Sequence, residues 1–130
     1  MSKMSKFSFK KHFKGKTVIV TGHTGFKGSW LTLWLISLGA NVIGISSDVP
    51  SNPSHFKILN LKRKIINKNL DIRNLKKLKN VFRNYKPNYV FHLAAQSLVK
   101  ESYVDPIYTF QTNSIGTLNV LESLKNLKNK

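Results

Sequence analysis

A chain of 130 residues can bury a core of its own, and a hydrophobic fraction of 41% argues against a disordered polymer. The absence of cysteine excludes disulfides, thiolate nucleophiles and cysteine-ligated metals, and it fits a protein of the reducing cytoplasm. A formal net charge of +17 would suit a nucleic-acid binder. Arginine, the better reader of phosphates and bases, occurs only at Arg63, Arg73 and Arg83, so solvated lysine-rich faces explain the charge better.

The chain divides into a short basic arm and one domain. Residues 1–14 are rich in lysine and lack the apolar segment of a signal peptide, so they predict a flexible arm. Residues 15–130 then form the domain. Its apolar run at 30–45 is interrupted at 38–41 and is shorter than the roughly 20 residues of a spanning helix, so no membrane segment is expected.

The first half of the domain predicts two strands around one helix. The β-branched run TVIVT at 17–21 is typical of a parallel strand covered on both faces. A helix that is apolar on nearly every side is predicted over 26–38, with Gly39 as its C-terminal stop. A second β-branched strand follows at 41–46, and the proline-containing stretch at 47–54 predicts a loop.

The second half continues this alternation. Residues 64–70 predict a weaker strand, and the spacing of apolar residues predicts a surface helix over 74–85. Residues 88–95 predict a fourth strand. Asp105 and Pro106 mark a helix start, from which helical spacing continues to the C-terminus.

Strands that alternate with helices predict an α/β fold, a Rossmann-like doubly wound parallel sheet with the strand order 3-2-1-4. Such a sheet has about six strands, and only about four are predicted here. We therefore expect the chain to be the N-terminal part of an NAD(P)-binding domain, apparently truncated, either by a split or shortened gene or by an artificial boundary of the segment.

Three glycines follow the first strand, at Gly22, Gly25 and Gly28. A P-loop needs lysine directly after its last glycine, whereas Lys27 precedes Gly28, so an ATPase or GTPase loop is excluded. A tight turn alone needs only one glycine. A dinucleotide-binding loop uses all three, for the turn, for contact with the pyrophosphate and for helix packing. The loop therefore predicts a dinucleotide, with its diphosphate at the start of the helix.

A carboxylate that binds the ribose is expected about 20 residues further on, and Asp48 lies at that distance from Gly28. Asp48 could instead be a simple turn former. Ser46 and Ser47 beside it would repel a 2′-phosphate less than an acid would. The choice between NAD and NADP is therefore open, and the acid at Asp48 favours NAD.

Four motifs then resemble one known family: TGHTGFKGSWL at 21–31, DIRN at 71–74, HLAAQSLV at 92–99 and TNSIGT at 112–117. Their order and spacing resemble extended short-chain dehydrogenases/reductases, and their wording is most similar to the CDP-glucose 4,6-dehydratases. The resemblance implies bound NAD and conversion of CDP-glucose to CDP-4-dehydro-6-deoxyglucose for surface-polysaccharide deoxysugars. Oxidation at C4, loss of water across C5 and C6, and return of hydride to C6 would make up that reaction.

The resemblance also assigns cofactor-binding residues. It places Gly22, Thr24, Gly25, Phe26 and Lys27 at the pyrophosphate, Asp71 and Ile72 at the adenine, Leu93, Ala94, Ala95 and Gln96 along the cofactor, and Thr112 near its nicotinamide side. Structural alternatives exist for several of these. Asp71 could cap the following helix, and residues 93–95 could be only a buried strand end. His92 is better explained as a hydrogen-bonded interior histidine than as a base, and His23 and Lys27 could be solvated loop residues.

The family's catalytic Tyr-x-x-x-Lys is missing from the sequence. In that motif the lysine lowers the tyrosine pKa so that the tyrosine can take a proton. The residues four positions after Tyr85, Tyr89, Tyr103 and Tyr108 are Tyr89, Leu93, Ile107 and Thr112. We therefore assign no catalytic residue and expect no turnover from this chain alone.

An unpaired fourth strand is expected to pair with a C-terminal half or with a second copy in a homo-oligomer. Two other functions are the alternatives. The first is a non-catalytic NAD(P)-binding or partner-binding module, and the second, less favoured, is a basic nucleic-acid binder.

Overall fold

The computed structural model describes residues 9–125 and 127, which form a four-stranded parallel sheet between helical layers. The strand order is β3-β2-β1-β4, as predicted. The chain adds β2 and β3 on one side of β1 and then returns to add β4 on its other side. The crevice at such a switch point is where these folds bind their ligands. The strands are β1 Thr17–Thr21, β2 Asn41–Ser46, β3 Ile66–Asn69 and β4 Tyr89–His92.

Seven α-helices lie in the described part of the chain. A 3₁₀ turn at Leu61–Arg63 and a π-helical turn at Gln111–Ile115 join some of them. The helices are α1 Phe9–Phe13, α2 Phe26–Ser37, α3 His55–Ile58, α4 Leu75–Tyr85, α5 Val99–Val104, α6 Pro106–Phe110 and α7 Gly116–Leu124.

The two central strands are buried on both faces because successive side chains of a strand point to opposite sides. Ile19 and Ile43 face one layer, where they pack with residues of α4 and α7. Val18 and Val20 face the other layer, where they pack with Leu35 of α2. All five side chains are almost fully inaccessible to solvent, so the core lies directly under the carboxyl ends of β1 and β2.

Two helix ends, at Gly39 and at Asp105, agree with the sequence signals, whereas the cap at Asn74 is not predicted. Gly39 follows α2 with a φ of +80° and donates its N–H to the carbonyl of Ile36, which is the left-handed stop that glycine provides. Asn74 is the N-cap of α4, because its side chain accepts the N–H of Lys77. Asp105 caps α6 by accepting the N–H of Tyr108.

The two outer strands are shorter than predicted. β3 spans only Ile66–Asn69 within the predicted 64–70. β4 ends at His92, three residues before the predicted end, because the N–H of Ala94 bonds to the side chain of Thr21 and leaves the strand ladder.

Five short elements have no counterpart in the sequence prediction: α1, α3, the 3₁₀ turn, α5 and the π-helical turn. The first four are too short to show a helical period. The π-helical turn is hidden because helical spacing simply continues through it.

Of the predicted basic arm, residues 1–8 lie outside the described part, whereas α1 packs on the domain. Its Phe9 meets Trp34 edge-on with ring centroids 5.2 Å apart, and Phe13 lies 5.1 Å from Tyr89. The boundary at residue 15 stays a prediction. No helix among the described residues combines the length and apolarity needed to cross a membrane.

Candidate functional site

The glycine loop joins the end of β1 to α2 and lies against the chain that leaves β4. Gly22 has a φ of +74°, and a Cβ there would lie 2.7 Å from the N atom of Ala94 and 2.8 Å from the carbonyl carbon of Leu93. Only glycine can make this turn so close to another backbone. The loop therefore borders the crevice between β1 and β4.

The other two glycines have different surroundings. A Cβ on Gly28 would collide with the carbonyl group of Gly22, so Gly28 lets α2 pack on its own loop. A Cβ on Gly25 would meet only the carbonyl oxygen of Gly22, at 3.4 Å, and open space lies beyond it. The absence of a side chain at Gly25 is therefore not needed for packing and leaves room for a ligand.

The first turn of α2 has backbone donors without acceptors. Gly25 donates to Gly22, and Ser29 donates to Gly25. Among the described residues, no hydrogen bond satisfies the N–H groups of Phe26, Lys27 and Gly28. The first turn carries no acidic side chain, and the helix dipole adds positive potential there. These groups fit a diphosphate.

Thr24 connects the glycine loop to the end of β2. Its hydroxyl donates to the carbonyl of Asp48 at 2.6 Å, so Ser46 must donate to Thr24 across their 2.7 Å contact. Asp48 is thereby held beside the loop, as the spacing predicts. Its carboxylate is exposed and accepts a bond from Ser47 at 3.2 Å, which leaves it accessible to a ribose.

Asp71 follows β3 and is bound by Arg73, with 2.7 Å between Oδ2 and Nη2. The hydrogen bonds from Arg73 hold the pKa of Asp71 below its ordinary value. The alternative that Asp71 caps α4 is wrong, because Asn74 does so. The Ile72 side chain is buried against Gly116, so only its backbone N–H, which has no acceptor among the described residues, is available to a ligand.

The segment after β4 is fixed by the π-helical turn. The backbone N–H and carbonyl of Gln96 bond to the side-chain amide of Asn113, at 2.8 and 2.9 Å. The Gln96 side chain bonds to Leu98 and Thr109. Thr112 is 7% exposed, and its hydroxyl has no partner among the described residues. π-Helical turns with such unpaired groups are common at functional sites.

His23 is the loop residue whose environment the sequence does not indicate. The expectation of a solvated side chain is wrong, since His23 is fully buried and its Nε2 lies 2.6 Å from Oδ1 of Asn67 in β3. Burial lowers the pKa of His23, and the bond to Asn67 offsets part of that effect. Lys27, in contrast, is exposed as expected.

An open depression of about 700 Å³ lies beside this edge, between the start of α4 and the π-helical turn. Its lining includes Asp71 and Arg73, but none of the glycine-loop residues. Of the predicted site residues, only Asp71 borders this depression.

Comparison with known proteins agrees with this geometry. A sequence model of the family described as GDP-mannose 4,6 dehydratase matches residues 19–130. The CDP-glucose 4,6-dehydratase of Salmonella typhimurium is 49% identical over 120 residues, which cover 92% of this chain and 33% of that protein. The dTDP-glucose 4,6-dehydratase of Haemophilus influenzae is 34% identical over 111 residues, which cover 84% of this chain and 33% of that protein.

Solved structures show the same fold. Epimerase Mth375 of Methanothermobacter thermautotrophicus superposes with a TM-score of 0.80 at 35% identity, over 92% of this chain and 34% of that chain. The UDP-glucose 4-epimerase of Thermus thermophilus, solved in complex with NAD, superposes with a TM-score of 0.73 at 32% identity, over 83% of this chain and 33% of that chain. The chain spans about a third of the length of these relatives. The resemblance predicted from four motifs is confirmed: the chain belongs to the GDP-mannose 4,6 dehydratase family.

Proposed function

We propose that the chain is the NAD-binding part of a nucleotide-sugar 4,6-dehydratase that acts on CDP-glucose. Family membership supports the reaction class, and the 49% identity to the Salmonella enzyme favours CDP-glucose over dTDP-glucose, whose Haemophilus enzyme is 34% identical. The Thermus relative in complex with NAD supports the cofactor. Since the chain spans about a third of these relatives, its own share of the activity is cofactor binding.

One observation carries the proposal. Three N–H groups without acceptors, those of Phe26, Lys27 and Gly28, lie at the positive end of α2, next to the open space at Gly25. Water can satisfy such donors at an exposed helix start. The open space at Gly25 also lets an anion approach all three of them closely, and a diphosphate has the size and charge to do so. A mere turn would explain Gly22 and Gly28 but not the space at Gly25.

The remaining residues would hold the other parts of the dinucleotide. The carboxylate of Asp48 would accept hydrogen bonds from the ribose hydroxyls, and its charge would repel the 2′-phosphate of NADP. Asp71 and the N–H of Ile72 would bind the adenine. When bound, NAD supplies the acceptor for the hydride from C4 of the sugar. Leu93, Ala94, Ala95 and Gln96 would lie along the cofactor, and Thr112 would lie near its nicotinamide side.

The chain would not complete the reaction alone, because the sequence has no Tyr-x-x-x-Lys to take the C4 hydroxyl proton. β4 has no second neighbour among the described strands. We propose that this edge pairs with a C-terminal part of the enzyme or with a second copy, because an apolar unpaired edge associates readily.

Titration with NAD, followed by ¹⁵N–¹H NMR, tests the cofactor assignment. We expect the amide resonances of Phe26, Lys27 and Gly28 to shift in a saturable way, and NADP to bind more weakly. Gly25→Val should abolish the shifts without unfolding the chain, because the added atoms enter open space. Gly15→Asn, at the opposite end of β1, is the control and should bind as the parent does, because nothing lies within 4 Å of the added Cβ and asparagine tolerates the φ of +72° there.

Three outcomes would contradict the proposal. Unmoved amides at millimolar NAD would remove the cofactor site. Turnover of CDP-glucose by the purified chain would contradict its dependence on a further part. Salt-sensitive binding to arbitrary duplex DNA without any response to NAD would favour a basic nucleic-acid binder instead.

A further inference from the structure

His92, the last residue of β4, joins the end of β1 to α7. Its Nδ1 lies 2.6 Å from Oγ1 of Thr21, and its Nε2 lies 3.0 Å from Oγ1 of Thr117. The prediction of a hydrogen-bonded interior histidine is therefore confirmed. These two bonds span the crevice side of the sheet, between the strand that enters the glycine loop and the helix that follows the π-helical turn.

The directions of these hydrogen bonds follow from the neighbouring groups. Oγ1 of Thr21 accepts the N–H of Ala94 at 3.2 Å and that of Leu93 at 3.1 Å, and the N–H of Leu93 also bonds to the Thr21 carbonyl at 3.0 Å. Its own proton is therefore the one shared with His92, whose Nδ1 must accept it. The imidazole proton then lies on Nε2 and is donated to Thr117. Thr117 in turn donates to the carbonyl of Asn113, at 2.6 Å.

The chain of bonds closes on the segment that borders the crevice. Asn113 belongs to the π-helical turn and holds Gln96 through the two amide bonds described above. Leu93 and Ala94 bond to Thr21 at the other end of the chain of bonds. Both ends of segment 93–96 are thus attached to the same chain of hydrogen bonds, and this chain passes through the ring of His92.

We infer that His92 is a positioning residue, held as the neutral Nε2–H tautomer, which transmits the placement of the π-helical turn to Leu93 and Ala94 at the crevice. Its importance for cofactor binding rests on the proposed function, but the bond directions do not. A protonated ring would present a hydrogen at Nδ1 to the hydroxyl hydrogen of Thr21, and the chain of bonds would break there.

No charge in its surroundings favours the protonated ring. Among the described residues, β1, segment 93–98 and the π-helical turn have no ionisable side chain, and β4 adds only Tyr89. Glu122 of α7 is bound by Lys125 and Lys79. α4 packs on the same side of the sheet as α7. Its other basic residues are exposed: Lys76, Lys77 and Arg83. Burial lowers the pKa of His92, in agreement with a neutral ring.

Site-resolved ¹⁵N NMR of the histidine side chains tests the tautomer without any ligand. We expect the Nε2–H form for His92 near neutral pH. A ring protonated on Nδ1, or on both nitrogens, overturns the inference whatever the chain binds.

A matched pair of variants tests the transmission. Thr117→Val removes the acceptor for Nε2–H, and we expect it to shift the amide resonances of Leu93 and Ala94 on the far side of the ring. Thr117→Ser keeps the hydroxyl and should leave them in place. Unchanged resonances in the folded Thr117→Val chain overturn the positioning role. Should Thr117→Val not fold, Thr117→Ala, which removes the same hydroxyl and suits a helix, gives the same readout.

NAD affinity separates this inference from the proposed function. Where NAD binds, loss of one neutral hydrogen bond in Thr117→Val should weaken it about fivefold, and Thr117→Ser should not. Equal affinity in both variants overturns the link to the cofactor. Absence of NAD binding in the parent, together with the expected tautomer and amide shifts, contradicts only the proposed function.

Discussion

The imidazole ring of His23 lies directly over the α-carbon of Gly44. A Cβ on Gly44 would lie 2.7 Å from Nδ1 of His23 and closer still to two ring carbons. The same ring meets Phe56 edge-on, with centroids 5.2 Å apart. A glycine in the middle of β2 thus makes room for the residue that anchors the glycine loop.

Replacement of Gly44 by alanine should destabilise the fold by about 1–3 kcal/mol, because the new methyl group has to displace a fully buried ring. Urea unfolding measures this loss. Gly25→Ala is the control, since its added Cβ makes only an ordinary contact and the φ of −73° suits any residue. Equal midpoints for the two variants would mean that His23 does not occupy the space over Gly44.

Thr24→Val should cost about 1–3 kcal/mol of stability, because the carbonyl of Asp48 and the hydroxyl of Ser46 lose their shared partner. Thr24→Ser keeps the hydroxyl and should lose much less. Chemical denaturation of both variants gives the comparison. A serine variant as unstable as the valine variant would show that the methyl group, and not the hydroxyl, holds the loop.

Acid should weaken the fold through its buried histidines. Burial lowers the pKa of His23 and of His92 below the ordinary value of 6.5, so the unfolded chain binds more protons than the folded chain below that pH. Stability is therefore complete above the unfolded pKa and falls as the pH drops through the folded values, by ~1.4 kcal/mol for each unit of lowering. Asp71 adds a similar loss only below its own ordinary value of 3.8.

Denaturation curves from slightly alkaline to mildly acidic pH measure this slope. His92→Asn, which keeps an acceptor for Thr21 but does not titrate, should reduce the slope and leave the part due to His23. A stability that rises on acidification would show that one of these rings is charged in the folded chain.

Asn74→Ala should destabilise α4 by about 1 kcal/mol, because the N–H of Lys77 loses its acceptor. Asn80→Ala, at an exposed position inside the same helix, is the matched control and should be neutral or slightly stabilising. Thermal unfolding of both variants is sufficient. Equal losses would mean that the side chain of Asn74 is not a cap in solution.

Local signals predict the central strands and α2, because each depends on neighbours in sequence. The strand order is predicted only through the fold class, since a doubly wound sheet of this kind fixes it. β1 and β2 are short runs rich in β-branched residues. Gly39 ends α2 whatever the helix packs against, because the stop depends on the backbone of Gly39 itself. β3 is harder, because Asn67 and Asn69 interrupt its apolar pattern and its length depends on pairing with β2.

The glycine loop is predicted for a similar reason, since the turn and the close packing require particular residues at fixed spacing. The hydrogen bond that holds His23 in place is not predicted, because its partner Asn67 lies 44 residues away and nothing near His23 in the sequence indicates burial. The bonds of His92 to Thr21 and Thr117 are invisible for the same reason, being 71 and 25 residues apart. Contacts of this kind depend on the assembled sheet.

The π-helical turn at Gln111–Ile115 has a consequence for changes in chain length. Loss of one residue there would let the helix continue with ordinary α-helical bonds, so the helix itself would tolerate the deletion. The wide turn accommodates one extra residue, so its loss would leave the helices on either side close to their present alignment. The backbone inside the turn would move, however, and with it the Asn113 side chain that holds both backbone groups of Gln96. A single-residue deletion that is harmless to the helix would thus release the segment that borders the crevice, and descendants of this sequence should keep both the length of this turn and the asparagine within it.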